Sequence, residues 1–464
     1  MFDLSIFLEY TDCQSTFRHV IDISTMEDAR MDGRSTGAIN PDIGLFGAAG
    51  EAEGEAELRH GWPIILVAFL GITVGISSTF LFSTGLFLKP VADAFGWGRG
   101  TVSIAPFVAS MLTALCAPFV GRCVDRFGVL PVLLPSLLGL AAGLLLLGML
   151  SADFFSYVAL MALVALLGAG TAAPVITKMI IAGFKRRRGL ALGLSLAGSG
   201  LGGGLIPLFL TPIIAAHGWR AGYMALAGIE LAGFAVIGAL IWLWRRTILP
   251  PARPTGARVP RQEAAVSADG PPLLRDRTFL LLALAFFLSA WGILTTVVHF
   301  VPMLTDAGVD ATRAAGMAGT IGAALIFGRI VVGYLLDRLP AVALAQCLFA
   351  MVAAGMLTLV AGGAHVAVVA LIAAIAAGIG IGSENDIMSF LVGRYYATSR
   401  FGSVNGALFA VFLVGGSIGP AASGYMYDAT GSYTLALLLS AGALVTAALL
   451  LFALPKLPSS AASG

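Results

Sequence analysis

Ionisable side chains stand at six places inside stretches of this chain that are otherwise almost wholly apolar: Lys178, Glu230, His299, Arg329, Glu384 and Asp386, with Lys89 at the edge of another. A charge in such surroundings costs several kcal/mol unless it is paired or hydrated, so these positions are the candidates for binding an ion or carrying a proton. Arg329 lies in IFGRIVVGYLLDR, about 12 Å of helix from Asp337, too deep for a loop charge. Its guanidinium stays charged and offers a planar fork that matches a carboxylate. The alternative is a permanent bridge to Glu384 or Asp386. Those two sit in GIGIGSENDIMSFLVG, about 200° apart around a helix, so at most one faces a common cavity squarely. Either they bind protons reversibly beside Arg329 or they form a structural polar cluster. His299, just before Pro302, is either a group that titrates near neutral pH, next in line as a proton carrier, or simply a side chain hydrated at a helix end. Lys178 either pairs with Glu384 or snorkels to an interface. Glu230 is isolated and receives no role.

The elements that must hold these groups are set by composition. The chain of 464 residues is 58% hydrophobic and 11% charged, with a mean hydropathy of +0.94, which excludes an ordinary soluble enzyme. Twelve apolar stretches are each long enough to cross a bilayer: 62–88, 101–120, 129–150, 154–182, 189–214, 221–244, 278–304, 312–336, 340–361, 365–392, 402–425 and 432–454. They are too long, and too rich in Leu, Ala and Gly, for the alternating strands of an outer-membrane barrel, which leaves helices. With 58 glycines available, close helix packing is expected, above all at GSGLGGG, residues 198–204.

The chain also repeats itself at an offset of 212 residues. Gly121, Asp125 and Arg126 recur as Gly333, Asp337 and Arg338; Pro90 and Gly96 recur as Pro302 and Gly308; Arg188 recurs as Arg400. The expected architecture is therefore an all-α membrane protein of two six-helix pseudo-repeats, 61–244 and 278–454. A Pro- and Arg-rich linker, 245–277, joins them. An acidic tail, 1–60, is expected to be disordered and carries no signal-peptide pattern, and a short tail, 455–464, follows. Alternate connections carry sixteen Lys and Arg against four, which puts both termini and the linker in the cytoplasm. The linker Arg either set topology or also touch lipid headgroups. The net charge of +2 gives no reason to invoke nucleic acid. An excess of Arg over Lys, 23 to 4, points to a GC-rich coding sequence and hence a bacterial inner membrane. Cys13, Cys116, Cys123 and Cys347 lack metal-ligand spacing, no cofactor is expected, and no H-E-x-x-H or G-x-S-x-G pattern suggests an enzyme.

Twelve stretches, a central linker and G-x-x-x-D-R-x-G at 121–128 resemble the major facilitator superfamily. That resemblance implies a transporter working by alternating access, with a monomeric transport unit. In the superfamily the Asp of this turn faces a helix N-terminus and nearby Arg, locking the cytoplasmic side when the transporter opens outward; the matching residues are Asp125 and Arg126, repeated as Asp337 and Arg338. A topology signal with a tight turn is the plainer alternative. Two further segments, FKRRRGLALGLSLAGSGLG at 184–202 and LFLKPVADAFGWGRGTVS at 86–103, together with GSYTLALLL after Asp428, resemble monocarboxylate transporters and their oxalate/formate-antiporter-like relatives.

This narrower resemblance implies a small organic anion as substrate, Arg329 as its carboxylate partner, Lys89 as a functional cation and proton symport. Lys89 otherwise reads as a snorkelling side chain. Two departures matter. The animal family has an Asp one turn before the Arg, where this chain has Leu325; the second deep cation of the oxalate transporter has no counterpart in 402–425, which argues for a monoanion. Anion exchange, or efflux of a drug-like metabolite, stays open: the Gly-Pro run GGSIGPAASG, 415–424, resembles an antiporter motif but lies in the other half.

Overall fold

Leu130–Leu150, a helix flanked by Gly128 and Ser151, shows what the composition does in three dimensions. Leu133, Leu137, Leu140, Leu144 and Leu147 recur at helical spacing and are buried, yet Leu138, Leu145 and Met149 on the other faces are exposed. A helix apolar all round with one face packed on protein is lipid-facing on the remainder.

The computed structural model describes residues 42–185, 187–248, 272–336 and 338–455. Among them all regular structure is helical. The helices are α1 (Asp42–Val74), α2 (Ile76–Phe95), α3 (Arg99–Phe127), α4 (Leu130–Leu150), α5 (Phe154–Gly168), α6 (Ala173–Gly183), α7 (Arg188–Leu196), α8 (Gly198–Leu243), α9 (Arg245–Ile248), α10 (Arg277–Asp306), α11 (Ala311–Leu336), α12 (Ala341–Gly362), α13 (Ala367–Tyr395), α14 (Thr398–Thr430) and α15 (Thr434–Phe452). Eleven helical runs are long and apolar enough to span a membrane, and one of them, Arg188–Leu243, turns at Gly218 (φ 81°) and counts twice, giving the twelve expected. The repeat shows in the turns as well: Gly96 and its counterpart Gly308 both take positive φ, 67° and 86°, where a side chain would be strained.

Two expected stretches are interrupted. The first breaks at Gly75, between α1 and α2; the fourth breaks at Ala169–Thr171, between α5 and α6. The two breaks meet. A Cβ on Gly75 would lie 2.5 Å from the Thr171 carbonyl oxygen, and Thr171 Oγ1 accepts from the Ile76 amide at 2.9 Å, replacing the helical bond the break removes. Hydropathy alone does not reveal such breaks, because the residues around them are as apolar as any other. Helix α1 also begins well before the apolar pattern. Glu57, in the acidic stretch expected to lack structure, accepts from the amides of Lys185 (2.6 Å) and Arg187 (3.0 Å) ahead of α7. Those are orphan amides at a helix start, which favour a carboxylate.

The glycine run at 198–204 packs as expected, on two faces. A Cβ on Gly202 would stand 2.6 Å from the Thr73 carbonyl oxygen of α1, and one on Gly200 would stand 2.6 Å from that of Gly322 on α11. Small residues thus let α8 touch the backbones of helices on both sides of the linker. The apolar core is divided accordingly: one cluster gathers residues 279–454 with Phe82, and two gather residues from 67–248.

Candidate functional site

Helices α2, α3, α6, α8, α10, α11, α13 and α14 surround a cavity of about 590 Å³. Its wall is mainly apolar, with Phe80, Phe107, Phe409 and Phe412, and among the described residues lining it Arg329 is the one cation and Asp386 the one acid. Arg329 reaches it from the last third of α11. Its Nε donates to the Gly382 carbonyl at 3.1 Å and lies 3.7 Å from Asp386 Oδ2, an ion-pair distance without a hydrogen bond. Nη1 is buried with no hydrogen-bond partner. The guanidinium is therefore anchored by one N–H while part of its fork stays uncommitted, beside a carboxylate that holds it only loosely. The carboxamide oxygens of Asn385 and Asn405, both on the cavity wall, are also buried and unpartnered. Sequence reasoning weighed ionisable groups only and passed over these two amides, although a polar side chain in an apolar stretch is itself a signal.

The helical rotation separates the two α13 carboxyls as expected. Asp386 lines the cavity; Glu384 points away from it, fully buried, and hydrogen-bonds Ser289 on α10. Neither Lys89 nor His299 is on the cavity wall. His299 is fully buried rather than hydrated at a helix end: its neighbours across α14 close over it, Nε2–H donating to the Pro420 carbonyl at 2.8 Å and Nδ1 accepting from Tyr433 Oη at 3.1 Å.

One turn beyond the cavity residue Ser103, at the end away from the basic turns, the chain is tied shut by a cluster of which sequence reasoning singled out Lys89 alone. Arg99, the first residue of α3, donates to both carboxylate oxygens of Asp306 at the end of α10, at 2.5 and 2.9 Å. Lys89 at the end of α2 adds a third contact to Asp306 at 3.0 Å, which is the role the structure gives it. Asp428 on α14 accepts from the amides of Arg99 and Gly100 at 2.7 Å each, capping α3. Arg99 also donates to Tyr433 Oη at 2.7 Å and stacks on Tyr427, 3.8 Å from its ring centre. Asp306, Arg99, Tyr433, His299 and the Pro420 carbonyl thus form one chain, and Pro420 lines the cavity.

A family model described as Major Facilitator Superfamily matches residues 67–386. The chain belongs to the major facilitator superfamily. It is similar to Monocarboxylate transporter 4 of Rattus norvegicus, 28% identical over 412 residues that cover 84% of this chain and 82% of the relative. Monocarboxylate transporter 11 of Homo sapiens is 26% identical over 407 residues, 86% of this chain and 84% of the relative. An MFS-type transporter of Gibberella moniliformis is 24% identical over 399 residues, covering 85% and 90%. As a member of the superfamily the chain is a multi-pass membrane transporter rather than an enzyme.

The residues of the superfamily turn at 121–128 make local contacts in this conformation. Asp125 accepts from Lys178 of α6 at 2.8 Å, both side chains well exposed, while Arg126 lies over the ring of Phe127. Lys178 therefore pairs with Asp125 rather than with Glu384. In the second copy Asp337 lies outside the described residues, and Arg338 stacks on Tyr334, 3.5 Å from its ring centre.

Proposed function

We propose that this transporter moves a small organic monocarboxylate together with a proton, by alternating access of its two six-helix halves. The observation that carries the reading is Arg329: a permanent cation on the wall of a mainly apolar cavity, its fork partly free and Asp386, the one acid among the described residues lining that cavity, 3.7 Å away. A carboxylate there gains a charge-assisted, forked partner, and the apolar wall suits a short hydrocarbon tail. A single lining cation favours a monoanion over a dicarboxylate. The names of the relatives support the substrate class.

Asp386 is the proton carrier of choice, because it shares the cavity with Arg329 and can trade partners when the substrate anion arrives. Glu384 behind it, and His299 in the chain leading to Arg99, are the further proton sites in this reading. In this reading the basic turns, both termini and the 245–277 linker face the cytoplasm, as the charge distribution favours, and the excess of Arg over Lys favours a bacterial inner membrane. The tied end is then the outer side, and the conformation is one with the outer entrance closed. Asp125, Arg126, Asp337 and Arg338 would join the halves on the inner side in the opposite conformation.

The test is a thermal-shift screen of the purified protein against small organic acids across pH, followed by the same titration on Arg329→Gln. A monocarboxylate at a hundredfold excess over its Kd stabilises the folded wild type by about 2.7 kcal/mol. Arg329→Gln should melt as the apo protein does and lose the ligand response; an unchanged response would make the arginine structural and remove the basis of the reading. In vesicles, an inward proton gradient should drive uptake, whereas exchange without net uptake would favour the antiport alternative. Protection of a cysteine placed at Ser267 from external reagents in intact cells checks the orientation.

A further inference from the structure

Glu230 lies on the second limb of α8, fully buried and away from the cavity. Its Oε1 is 2.7 Å from Thr79 Oγ1, and that same Oγ1 is 2.7 Å from the carbonyl oxygen of Val74. Thr79 owns one hydroxyl hydrogen. A carbonyl oxygen only accepts, so the hydroxyl hydrogen serves Val74, and the contact with Glu230 takes its hydrogen from the carboxyl group. The reverse arrangement would hold two lone-pair oxygens, Thr79 Oγ1 and Val74 O, face to face at hydrogen-bonding distance inside an apolar bundle. Oε2 is buried and unpartnered, which a neutral carboxyl tolerates far better than a carboxylate.

Among the described residues no cation pairs with Glu230. Helix α4 contains no titratable residue. On α2 the titratable groups are Lys89 and Asp93, the nearer some 15 Å of helix from Thr79 and bound to Asp306. On α8 itself Arg220 is about 15 Å along the helix and donates to the carbonyls of Gly148 and Ser151, His217 lies farther still, and Tyr223 is paired with Tyr157 of α5. Helix α11, with Arg313 and Arg329, meets the first limb of α8 through Gly200 and Gly322, on the other side of the Gly218 turn. The ionisable residue of α1 nearest the break, His60, lies about four turns before it.

We infer that Glu230 is a proton-binding site whose bound proton fastens the break between α1 and α2. The break is stitched by Ser78 Oγ to the Ile72 carbonyl (2.6 Å), by Thr79 Oγ1 to the Val74 carbonyl (2.7 Å) and by the Ile76 amide to Thr171 (2.9 Å). When the proton leaves, the Thr79 hydroxyl turns to the new carboxylate and the Val74 carbonyl loses its donor. One stitch opens, at the foot of the helix whose other end carries Lys89 into the Asp306 cluster. This site is independent of the substrate and of the α13 carboxyls, so it stands or falls separately from the monocarboxylate reading.

Infrared spectra of the purified full chain in D₂O at neutral pH test it directly. The carbonyl band of a protonated carboxyl should be present in the wild type, lose one component in Glu230→Gln and keep that component in Glu384→Gln. Thr79→Val, which leaves the carboxyl in place but removes its acceptor, should shift the same component. A Glu230→Gln spectrum identical to the wild type in this region would overturn the assignment. The second measurement is thermal melting between about pH 6 and about pH 9. A proton bound in the folded state stabilises at low pH and its contribution is lost as pH rises, so the wild-type Tm should fall across this range and fall less in Glu230→Gln, whose amide still donates to Thr79. Equal falls would show that the proton does not hold the break.

Discussion

Arg99 grips both oxygens of Asp306, at 2.5 and 2.9 Å, across a separation of 207 residues in the chain. The pair joins the first residue of α3 to the last of α10, and it is the centre of the cluster that closes one end of the bundle. Asp306→Asn keeps the shape but removes the charge from Arg99 and Lys89 together. A lost charge-assisted pair of this kind costs about 2 kcal/mol, roughly thirtyfold in the balance between closed and open forms. A cysteine at Ser103, one turn inside the lock, should then react faster with an external thiol reagent; unchanged labelling would mean that the lock is held by packing alone.

Asn385 and Asn405 line the same cavity as Arg329, and the carboxamide oxygen of each is buried without a partner. If they orient the bound anion, Asn385→Ala and Asn405→Ala should each weaken binding by about 1 kcal/mol, about fivefold in Kd, without lowering Tm in the absence of ligand. Isothermal titration on each variant measures both.

The two α13 carboxyls differ in position and should differ in effect. Asp386→Asn, beside Arg329, should abolish accumulation driven by a proton gradient while substrate exchange across vesicles survives. Glu384→Gln keeps a hydrogen-bond donor for Ser289 and should lower stability little. Accumulation that is normal in both variants would move the proton path to His299.

Backbone contact between α8 and α11 depends on Gly200 and Gly322, whose added Cβ atoms would strike main-chain atoms of the opposite helix. Gly322→Ala should destabilise by about 1–3 kcal/mol through overpacking. Gly316→Ala on the same helix, where nothing lies within 4 Å, should be neutral or slightly stabilising because Ala is the better helix former. Melting of the two variants side by side separates packing from propensity.

Asp153 caps α5, accepting from the Ser156 amide at 2.8 Å, while the Ser156 hydroxyl caps the Asp153 amide in return. The Ser156 amide and then its hydroxyl hold this carboxyl below the usual carboxylate range. A carboxyl depressed in the folded state stabilises above its unfolded pKa, and that contribution is lost as pH falls through the folded value. Asp153→Asn, still a good cap, should therefore show a shallower loss of Tm on acidification below about pH 4 than the wild type.

Much of this was legible in the residue order. Twelve apolar stretches, the 212-residue repeat and the glycine run at 198–204 follow from hydropathy, periodicity and side-chain size, properties each residue carries with it. The prominence of Arg329 follows the same way, since a lone guanidinium in apolar sequence is conspicuous wherever the helix goes. The separation of Glu384 from Asp386 needed only the rotation per residue of an α-helix.

What the tertiary structure decided is partnership. Arg99, Asp306 and Asp428 look like ordinary charges at span ends, and nothing in their local sequence tells that helices far apart in the chain bring them within hydrogen-bonding distance. Gly75 and Thr171 fall in unbroken apolar pattern, yet their two helix breaks repair one another. Glu230 reads as an isolated acid, and only the positions of Thr79 and Val74 reveal where its proton must be. Sequence determines which groups are costly to bury, because that cost belongs to the side chain; which neighbour meets the cost depends on distance and direction, and those exist only once the helices have packed.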